Sequence, residues 1–291
     1  MTPLKVAIIL RWNPQLSRRA TRSIGLFSYA VPEFKWEHFR PGKFAPLKRE
    51  DFENFDVVVI EDGSNVNVSG HGPPVVGIFW DTNNTEMHYA HRLVQASQCD
   101  LVLIGQDPLK RFVACRKPVK RLTYCVNDRL FHDYGEEKTV DIGWHMKGYG
   151  NLRRVHALKQ VQTWVDTYPA VFDARTVGHD GGEYAKAFNR AKISMNVGQT
   201  PANRPHRMFD AAASRTCVVT SRLPFVDEEY PLIAGEHYLE FNPARVGDAL
   251  EPILEDETWK SVTEAGYSFV RKHHTWAKRA PELRALIEGT L

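Results

Sequence analysis

Residues 193–221 read ISMNVGQTPANRPHRMFDAAASRTCVVTS, which is an apolar run, a polar loop, a helical segment and a second apolar run. This order predicts a strand, a loop, a helix and a second strand, the repeating unit of parallel sheets. Ligands of such sheets bind beyond the carboxyl ends of the strands, so we expect the loop at 198–205 to face a ligand. The small residues Ala211 to Ala213 predict a helix that packs closely on its sheet.

The rest of the chain repeats this alternation and predicts an α/β protein with two doubly wound sheets. The first sheet takes the runs KVAIIL (5–10), DVVVI (56–60), VVGIFW (75–80), DLVLIG (100–105) and KRLTYC (120–125). The second takes TVDIGW (139–144), FDARTVG (172–178), AKISMNV (191–197), TCVVTS (216–221) and HYLEF (237–241). Apolar periodicity predicts helices near 85–97, 152–166, 183–191 and 206–214, and a helical end of the chain broken near Gly266 and Pro281.

The composition is that of a cytosolic enzyme of two domains. The 291 residues are 43% hydrophobic, enough for two cores, and 25% charged, which argues against disorder. The four cysteines stand far apart and are expected to be reduced thiols of an intracellular, cytoplasmic protein. The apolar run near the N-terminus is too short for a secretory or membrane segment, so we expect no membrane contact. A net charge of +3 does not by itself indicate a polyanionic partner.

The helix predicted at 206–214 carries its charged residues in its first turns. Arg207 and Asp210 are three positions apart and share a face. A guanidinium there could bind a phosphate, and the carboxylate could accept hydrogen bonds from ribose hydroxyls. Spacing alone favours an exposed ion pair within the helix over such a ligand site.

Two further loops of the second sheet offer candidate ligand contacts. The loop WHMKGYG places His145, Lys147 and Gly148 after a strand, and Arg153 opens the next helix, an arrangement suited to a diphosphate. The alternative is a helix with a solvated basic face. The segment VGHDGG starts with Val177, Gly178 and His179, and its glycines would let the backbone approach a nucleotide base, although a plain turn would have the same sequence.

The first sheet offers Asp81, which follows the strand VVGIFW. It could bind a sugar hydroxyl or act as a base towards an acceptor, or it could cap the helix that begins near Thr85. His88 and His91 have a spacing compatible with metal binding, but without a third ligand a surface pair is the favoured interpretation. The chain has no Asp-x-Asp pair, so nothing in the sequence requires a metal.

Three motifs in order carry a resemblance to a known family: YCVNDRLFHDYG, VDIGWHMKGYGNLRR and RMFDAAASRTCVVTS. From Val140 onward the chain resembles the nucleotide-binding half of GT-B glycosyltransferases, and most of all the spore-maturation-protein (CgeB-like) glycosyltransferases. The family has an arginine and an acidic residue one turn apart on a helix, then small residues and a strand that ends near the donor. The resemblance implies a nucleotide-diphosphate sugar as donor, with UDP as the expected nucleotide, and no cofactor besides it.

The resemblance also implies two facing Rossmann-like domains. We place the acceptor-side domain at 1–135, the donor domain at 136–272 and a helix that crosses back to the first domain at 273–291. The retaining members carry two glutamates eight positions apart; here Asp210 matches the second, and the first falls at Ala202. The stereochemical outcome therefore stays open. With retention, the diphosphate held by Arg153, Lys147 and Arg207 would take the acceptor's proton, and with inversion Asp81 would be the base.

The segment RWNPQLSRRATRS at 11–23 contains no acidic residue and provides the candidate acceptor contacts Arg11, Trp12, Arg18, Arg19 and Arg22. Guanidiniums for phosphates and an aromatic ring for a base suit a nucleic acid. The acceptor would then be a hydroxymethylated base flipped out of DNA, as in bacteriophage DNA glycosylation. A solvated loop and a site for an acidic glycan are the alternatives. Outside transferase chemistry, a sugar-nucleotide epimerase and a non-catalytic binding module of the same fold remain open.

Overall fold

The computed structural model describes residues 4–10, 35–39, 48–61, 68, 70–79, 86–105, 112, 114–146, 151–174, 181–198, 205–223, 229–242 and 244–290. The chain divides into two compact units. The first comprises Met1–Tyr124, Phe225–Glu229 and Trp276–Leu291, so it includes the last helix of the chain. The second comprises Cys125–Pro224 and Tyr230–Thr275.

The first unit contains a six-stranded parallel sheet in the order β2-β1-β3-β4-β5-β6. Its strands are β1 (Lys5–Leu10), β2 (Lys35–Phe39), β3 (Val57–Glu61), β4 (Val75–Phe79), β5 (Leu101–Ile104) and β6 (Val119–Arg121). A 3₁₀ helix at Arg49–Phe52 and two α-helices, α1 (Glu86–Ala96) and α7 (Trp276–Glu288), also belong to this unit.

Apolar runs correctly predicted four of these strands. The apolar side chains at 6–9 of β1, 57–60 of β3, and throughout β4 and β5 are buried, as expected where both faces of a parallel sheet are covered. The run KRLTYC was only partly a strand, since β6 ends at Arg121. The strand β2 was not predicted, because its sequence KWEHF has only two apolar residues and lacks the continuous run that marked the others.

The second unit contains a five-stranded parallel sheet in the order β11-β10-β9-β7-β8. Its strands are β7 (Val140–Gly143), β8 (Phe172–Asp173), β9 (Ala191–Asn196), β10 (Cys217–Ser221) and β11 (Leu239–Phe241). Its helices are α2 (Leu152–Val165), α3 (Gly181–Arg190), α4 (Arg207–Ala213), α5 (Val246–Glu255) and α6 (Thr258–His273). The prediction of an α/β protein with two doubly wound sheets is thereby confirmed.

The breaks predicted in the helical end of the chain were wrong. The helices end instead at Glu255 and His273, and Gly266 and Pro281 lie inside α6 and α7. A Cβ at position 266 would lie 2.5 Å from the carbonyl oxygen of His237, so the glycine allows close packing of α6 and does not end it. Among the helices that the structure describes, none is long and apolar enough to cross a membrane.

Candidate functional site

The candidate site lies at the carboxyl edge of the second sheet. The strands β7 and β9 are neighbours there, with Gly143 paired to Ser194, so the helices that follow them, α2 and α4, start from adjacent strand ends. The guanidinium Nε of Arg154 donates a hydrogen bond of 2.9 Å to the carbonyl oxygen of Val197. This bond ties the first turn of α2 to the residue that follows β9.

Two arginines occupy the beginnings of these helices. Arg153 lies in the first turn of α2, and Arg207 is the first residue of α4. Nη1 of Arg153 and Nε of Arg207 are both shielded from solvent, and neither has a hydrogen-bond partner within the described part of the chain. Buried N–H groups without an acceptor are uncommon in folded proteins, because each one lowers the stability of the fold by about 1 to 3 kcal/mol. An anionic ligand would supply the acceptors that both groups need.

The first turn of α2 adds backbone donors to this region. The side chain of Asn151 caps the helix by accepting a hydrogen bond of 3.2 Å from the backbone N–H of Arg154. The first turn contains no acidic residue, so no carboxylate competes there for the positive end of the helix dipole. Such a helix start, with an arginine beside it, favours the binding of an anion.

Asp210 is buried, with 7% of its surface exposed. One of its carboxylate oxygens, Oδ2, lies 3.4 Å from Nε2 of His206, one helical turn earlier. This burial differs from the exposed ion pair that spacing alone favoured. The carboxylate thus lies in the first turn of α4, the turn that begins with Arg207.

His145 follows β7 and is buried, with 1% exposed. Its ring packs edge-on against Phe188, with centroids 4.9 Å apart, and its Nε2 lies 4.0 Å from a carboxylate oxygen of Asp173. A Cβ on Gly143 would lie 2.4 Å from Cε1 of this ring, so only glycine leaves room for it. The hydroxyl of Tyr184 donates a bond of 3.0 Å to the carbonyl oxygen of His145. The ring is therefore held in the interior of the second unit, and its contact with a ligand stays a prediction.

Several residues predicted for the site lie outside the described residues. They are Arg11, Trp12, Arg18, Arg19, Arg22, Asp81, Lys147, Gly148, Val177, Gly178 and His179. His88 and His91 belong to α1, but their side chains are likewise not described. In the described ranges, no group of three or more His, Cys, Asp or Glu side chains could hold a metal ion.

Two buried polar residues of β9 were not predicted from the sequence. Ser194 and Asn196 are each 1% exposed, and the oxygens Oγ of Ser194 and Oδ1 of Asn196 have no hydrogen-bond partner among the residues that the structure describes. The available signal was their alternation with Ile193, Met195 and Val197 in the run ISMNV. Polar residues at every second position of an otherwise apolar strand place polar side chains on one face of the sheet and apolar side chains on the other.

Comparison with known proteins shows what the chain is similar to. Residues 142–285 match the model of a family described as glycosyl transferase-like. No curated protein sequence matches the chain. The fold is similar to that of sucrose-phosphate synthase from Thermosynechococcus elongatus, with a TM-score of 0.69, 12% identity and 98% of both chains covered.

Two further structures are similar. HepE from Anabaena, in complex with UDP-glucose, has a TM-score of 0.68 and 8% identity, with 99% of this chain and 100% of HepE covered. The pneumococcal O-GlcNAc transferase GtfA, in complex with UDP and GlcNAc, has a TM-score of 0.56 and 9% identity, and the match covers 83% of this chain and 58% of GtfA. At these identities the likeness establishes the GT-B fold, and the family match shows that residues 142–285 are similar to glycosyl transferase-like proteins.

Proposed function

We propose that this protein, a GT-B glycosyltransferase, transfers a sugar from a UDP-linked donor and holds the donor's diphosphate with Arg153 and Arg207. One observation carries the proposal: each arginine has a buried guanidinium nitrogen without an acceptor in the described structure, and the two helices start from neighbouring strand ends. The similar fold of HepE, which is known in complex with UDP-glucose, supports the choice of UDP.

The proposed roles follow from the chemistry of the transfer. The bond between the sugar's anomeric carbon and a diphosphate oxygen breaks, and a bond from that carbon to an acceptor oxygen forms. Negative charge develops on the departing diphosphate, and two positioned guanidiniums stabilise it most in the transition state. Asp210 would accept hydrogen bonds from the ribose hydroxyls, and the segment with Val177, Gly178 and His179 would contact the base.

The acceptor's proton has two proposed destinations. With retention of configuration it goes to the departing diphosphate, on which Arg153, Arg207 and Lys147 hold the charge. With inversion it goes to Asp81. The stereochemistry of the product, determined by NMR of the anomeric proton, distinguishes the two routes.

For the acceptor we propose a hydroxymethylated base in DNA, on the strength of the arginine-rich segment at 11–23. The three motifs from Tyr124 onward further support a place among the CgeB-like glycosyltransferases. The cytoplasm remains the proposed location, in keeping with four cysteines that are all free thiols.

A thermal-shift panel of nucleotide sugars tests the donor. A donor at a hundred times its dissociation constant should stabilise the protein by roughly 2.7 kcal/mol. UDP-sugars should raise the unfolding temperature more than GDP- or ADP-sugars do. Release of free UDP on addition of acceptor then separates a transferase from an epimerase and from a non-catalytic binding module, neither of which releases it. Failure of every UDP-sugar to bind would refute the proposed donor.

Salt dependence tests the acceptor. If the arginines at 11–23 contact phosphates, log K for duplex DNA should fall linearly with log salt, by a slope of roughly −0.9 per neutralised phosphate. Replacing Arg18 and Arg19 together by alanine should flatten this slope by about two units. Donor affinity should not change. If the wild type does not bind DNA at low salt, a glycan becomes the acceptor to test.

A further inference from the structure

We infer that Asn196 hydrogen-bonds a hydroxyl group of the bound nucleotide sugar and so contributes to the choice of donor. The inference rests on the proposed function, because it takes the ligand to be a nucleotide sugar. Asn196 is the last residue of β9. The carbonyl oxygen of the next residue, Val197, accepts the hydrogen bond from Arg154 in the first turn of α2. Asn196 therefore lies at the carboxyl edge of the sheet, where Arg153 and Arg207 also lie.

The alternation of β9 decides which way Asn196 points. Ile193, Met195 and Val197 all belong to the apolar core on one face of the second sheet. Successive side chains of a strand point to opposite faces, so Asn196 points to the other face. The helices α3 and α4 both contact β9. Asn196 is thus buried at the edge near α4, the helix that begins with Arg207.

The amide of Asn196 is in an energetically poor position in the unliganded protein. The residue is 1% exposed, and its Oδ1 finds no hydrogen-bond partner in the described ranges. The register partner of Asn196 on β10 is Thr220, but the Thr220 hydroxyl donates to the carbonyl oxygen of Ser221 at 3.3 Å. An apolar residue would fill this position at lower cost, so the amide needs another explanation.

The chemistry of an amide selects the part of the ligand that it can bind. A buried Oδ1 needs a hydrogen-bond donor, and the oxygens of an ionised diphosphate are acceptors only. Hydroxyl groups both donate and accept, as does the amide as a whole, so the match does not depend on which way the amide is turned. A nucleotide sugar has hydroxyls on its ribose and on the transferred sugar. Asn196 thus contributes a contact that the two arginines cannot make.

Calorimetric titration of Asn196→Leu with UDP and with UDP-glucose tests the inference. Loss of one hydrogen bond should weaken binding of UDP-glucose about five- to tenfold. An equal loss for UDP places the contacted hydroxyl on the ribose, and an unchanged affinity for UDP places it on the transferred sugar. Because a buried amide without a partner is removed, the unfolding temperature should not fall. Asn196→Ala, which avoids the larger leucine side chain, should weaken binding to the same extent.

Ser214→Ala is the matched control. The Ser214 hydroxyl is also fully buried and without a partner among described residues, but it lies at the end of α4 that faces away from the carboxyl edge. Its removal should leave both affinities unchanged. Unchanged affinities in both Asn196 variants would overturn the inference and leave the proposed function intact. If the wild type itself binds neither UDP nor UDP-glucose, the proposed function fails, and the inference fails with it.

Discussion

Cationic side chains lie at both edges of the second sheet. Those described below for the amino edge have hydrogen-bond partners among protein groups, whereas two at the carboxyl edge have nitrogens without a partner in the described residues. At the amino edge, Nζ of Lys138 donates to the carbonyl oxygens of Ala191 and Arg215 at 2.9 and 2.6 Å. Arg215 bonds both carboxylate oxygens of Glu264, at 2.7 and 2.9 Å, and one of Asp133, at 2.8 Å. Protein oxygens therefore accept the hydrogen bonds of these two cations, which stabilise the fold.

At the carboxyl edge, the corresponding groups are left incomplete. Arg153 and Arg207 each have a shielded nitrogen for which the described residues offer no acceptor, and Asn196 lacks a partner for its amide oxygen. Since the N–H groups of buried cations are normally satisfied, the difference indicates that a ligand completes the cations of the carboxyl edge, whereas protein groups complete those of the amino edge. Substitutions at the carboxyl edge should thus change activity more than stability, and the reverse should hold at the amino edge.

The largest effect is expected from Arg153→Ala and Arg207→Ala. If each arginine stabilises the leaving diphosphate, each substitution should lower kcat by about 10²- to 10³-fold, with a smaller change in donor affinity. The unfolding temperature should be unchanged or slightly raised, because a buried N–H without an acceptor is removed. Steady-state kinetics with UDP-sugar and acceptor measure this. A rise in KM alone would contradict the leaving-group role.

Asp210→Ala should have the next largest effect. Loss of a charged acceptor for the ribose hydroxyls should weaken donor binding by about 1.5 to 3 kcal/mol, as measured by calorimetry. Asp210→Asn, which keeps the shape and one acceptor oxygen, should recover part of that loss. Because Nε2 of His206 lies 3.4 Å from the Asp210 carboxylate, the comparison needs the control His206→Gln, which removes the imidazole and keeps the carboxylate. Equal donor affinity in Asp210→Ala and the wild type would refute the ribose contact.

The sequence predicted the sheets well but could not distinguish the two edges. Buried strands such as β3 and β5 are continuous apolar runs, and local burial is enough to reveal them. Whether a cation is satisfied depends on residues far along the chain. Lys138 and Arg215 are 77 positions apart, and Arg215 and Glu264 are 49 apart. These pairs exist only because of the order of strands and helices, which single motifs do not contain.

The same limit explains the residues that were missed or misjudged. The motif containing Arg207 and Asp210 predicted a helix start, but spacing along the helix could not show that Asp210 is buried beside His206. Asn196 in the run ISMNV looks like a polar interruption of a strand until the neighbouring β10 and the contacting α4 cover it. Gly266 likewise has a role only because α6 approaches the carbonyl oxygen of His237.

A smaller effect, on stability alone, is expected from Arg215→Ala. The substitution removes the ion pairs with Glu264 and Asp133 and should lower the free energy of unfolding by about 1 to 2 kcal/mol. The effect is limited because the side chain is 44% exposed and solvent weakens the pairs.

The same ion pairs make the stability depend on pH. Burial raises the pKa of Asp133, but hydrogen bonds from Arg215 and the Gly135 N–H outweigh burial and lower the pKa below 3.8. The wild type should therefore lose this stabilisation as pH falls below about 3.8, and Arg215→Ala should lose less. Urea unfolding at two pH values measures both, and unchanged kcat is the control.

The smallest expected effect is the pH dependence of stability that comes from the Lys138 amine at the amino edge. Burial lowers the pKa of Lys138 from 10.5 to about 8, while the nearby Asp133 opposes the shift and the charge of Arg215 adds to it. Below pH 8 the amine is charged in both the folded and the unfolded chain, so the fold is destabilised by the full free-energy cost of burying the charge. Between pH 8 and 10.5 the folded amine is neutral while the unfolded chain still binds the proton, so stability rises with pH.

Lys138→Met removes this titration and nearly keeps the length of the side chain. From pH 7 to 8.5, the unfolding free energy of the wild type minus that of the variant should rise by roughly 0.5 to 1 kcal/mol. Urea unfolding of both proteins at the two pH values measures the difference, which cancels the titration of groups they share. A difference that does not change with pH would mean that Lys138 keeps its proton through this range. Its bonds to the carbonyl oxygens of Ala191 and Arg215 would then hold the amine in its charged form, and the amino edge would be satisfied for charge as well as for hydrogen bonds.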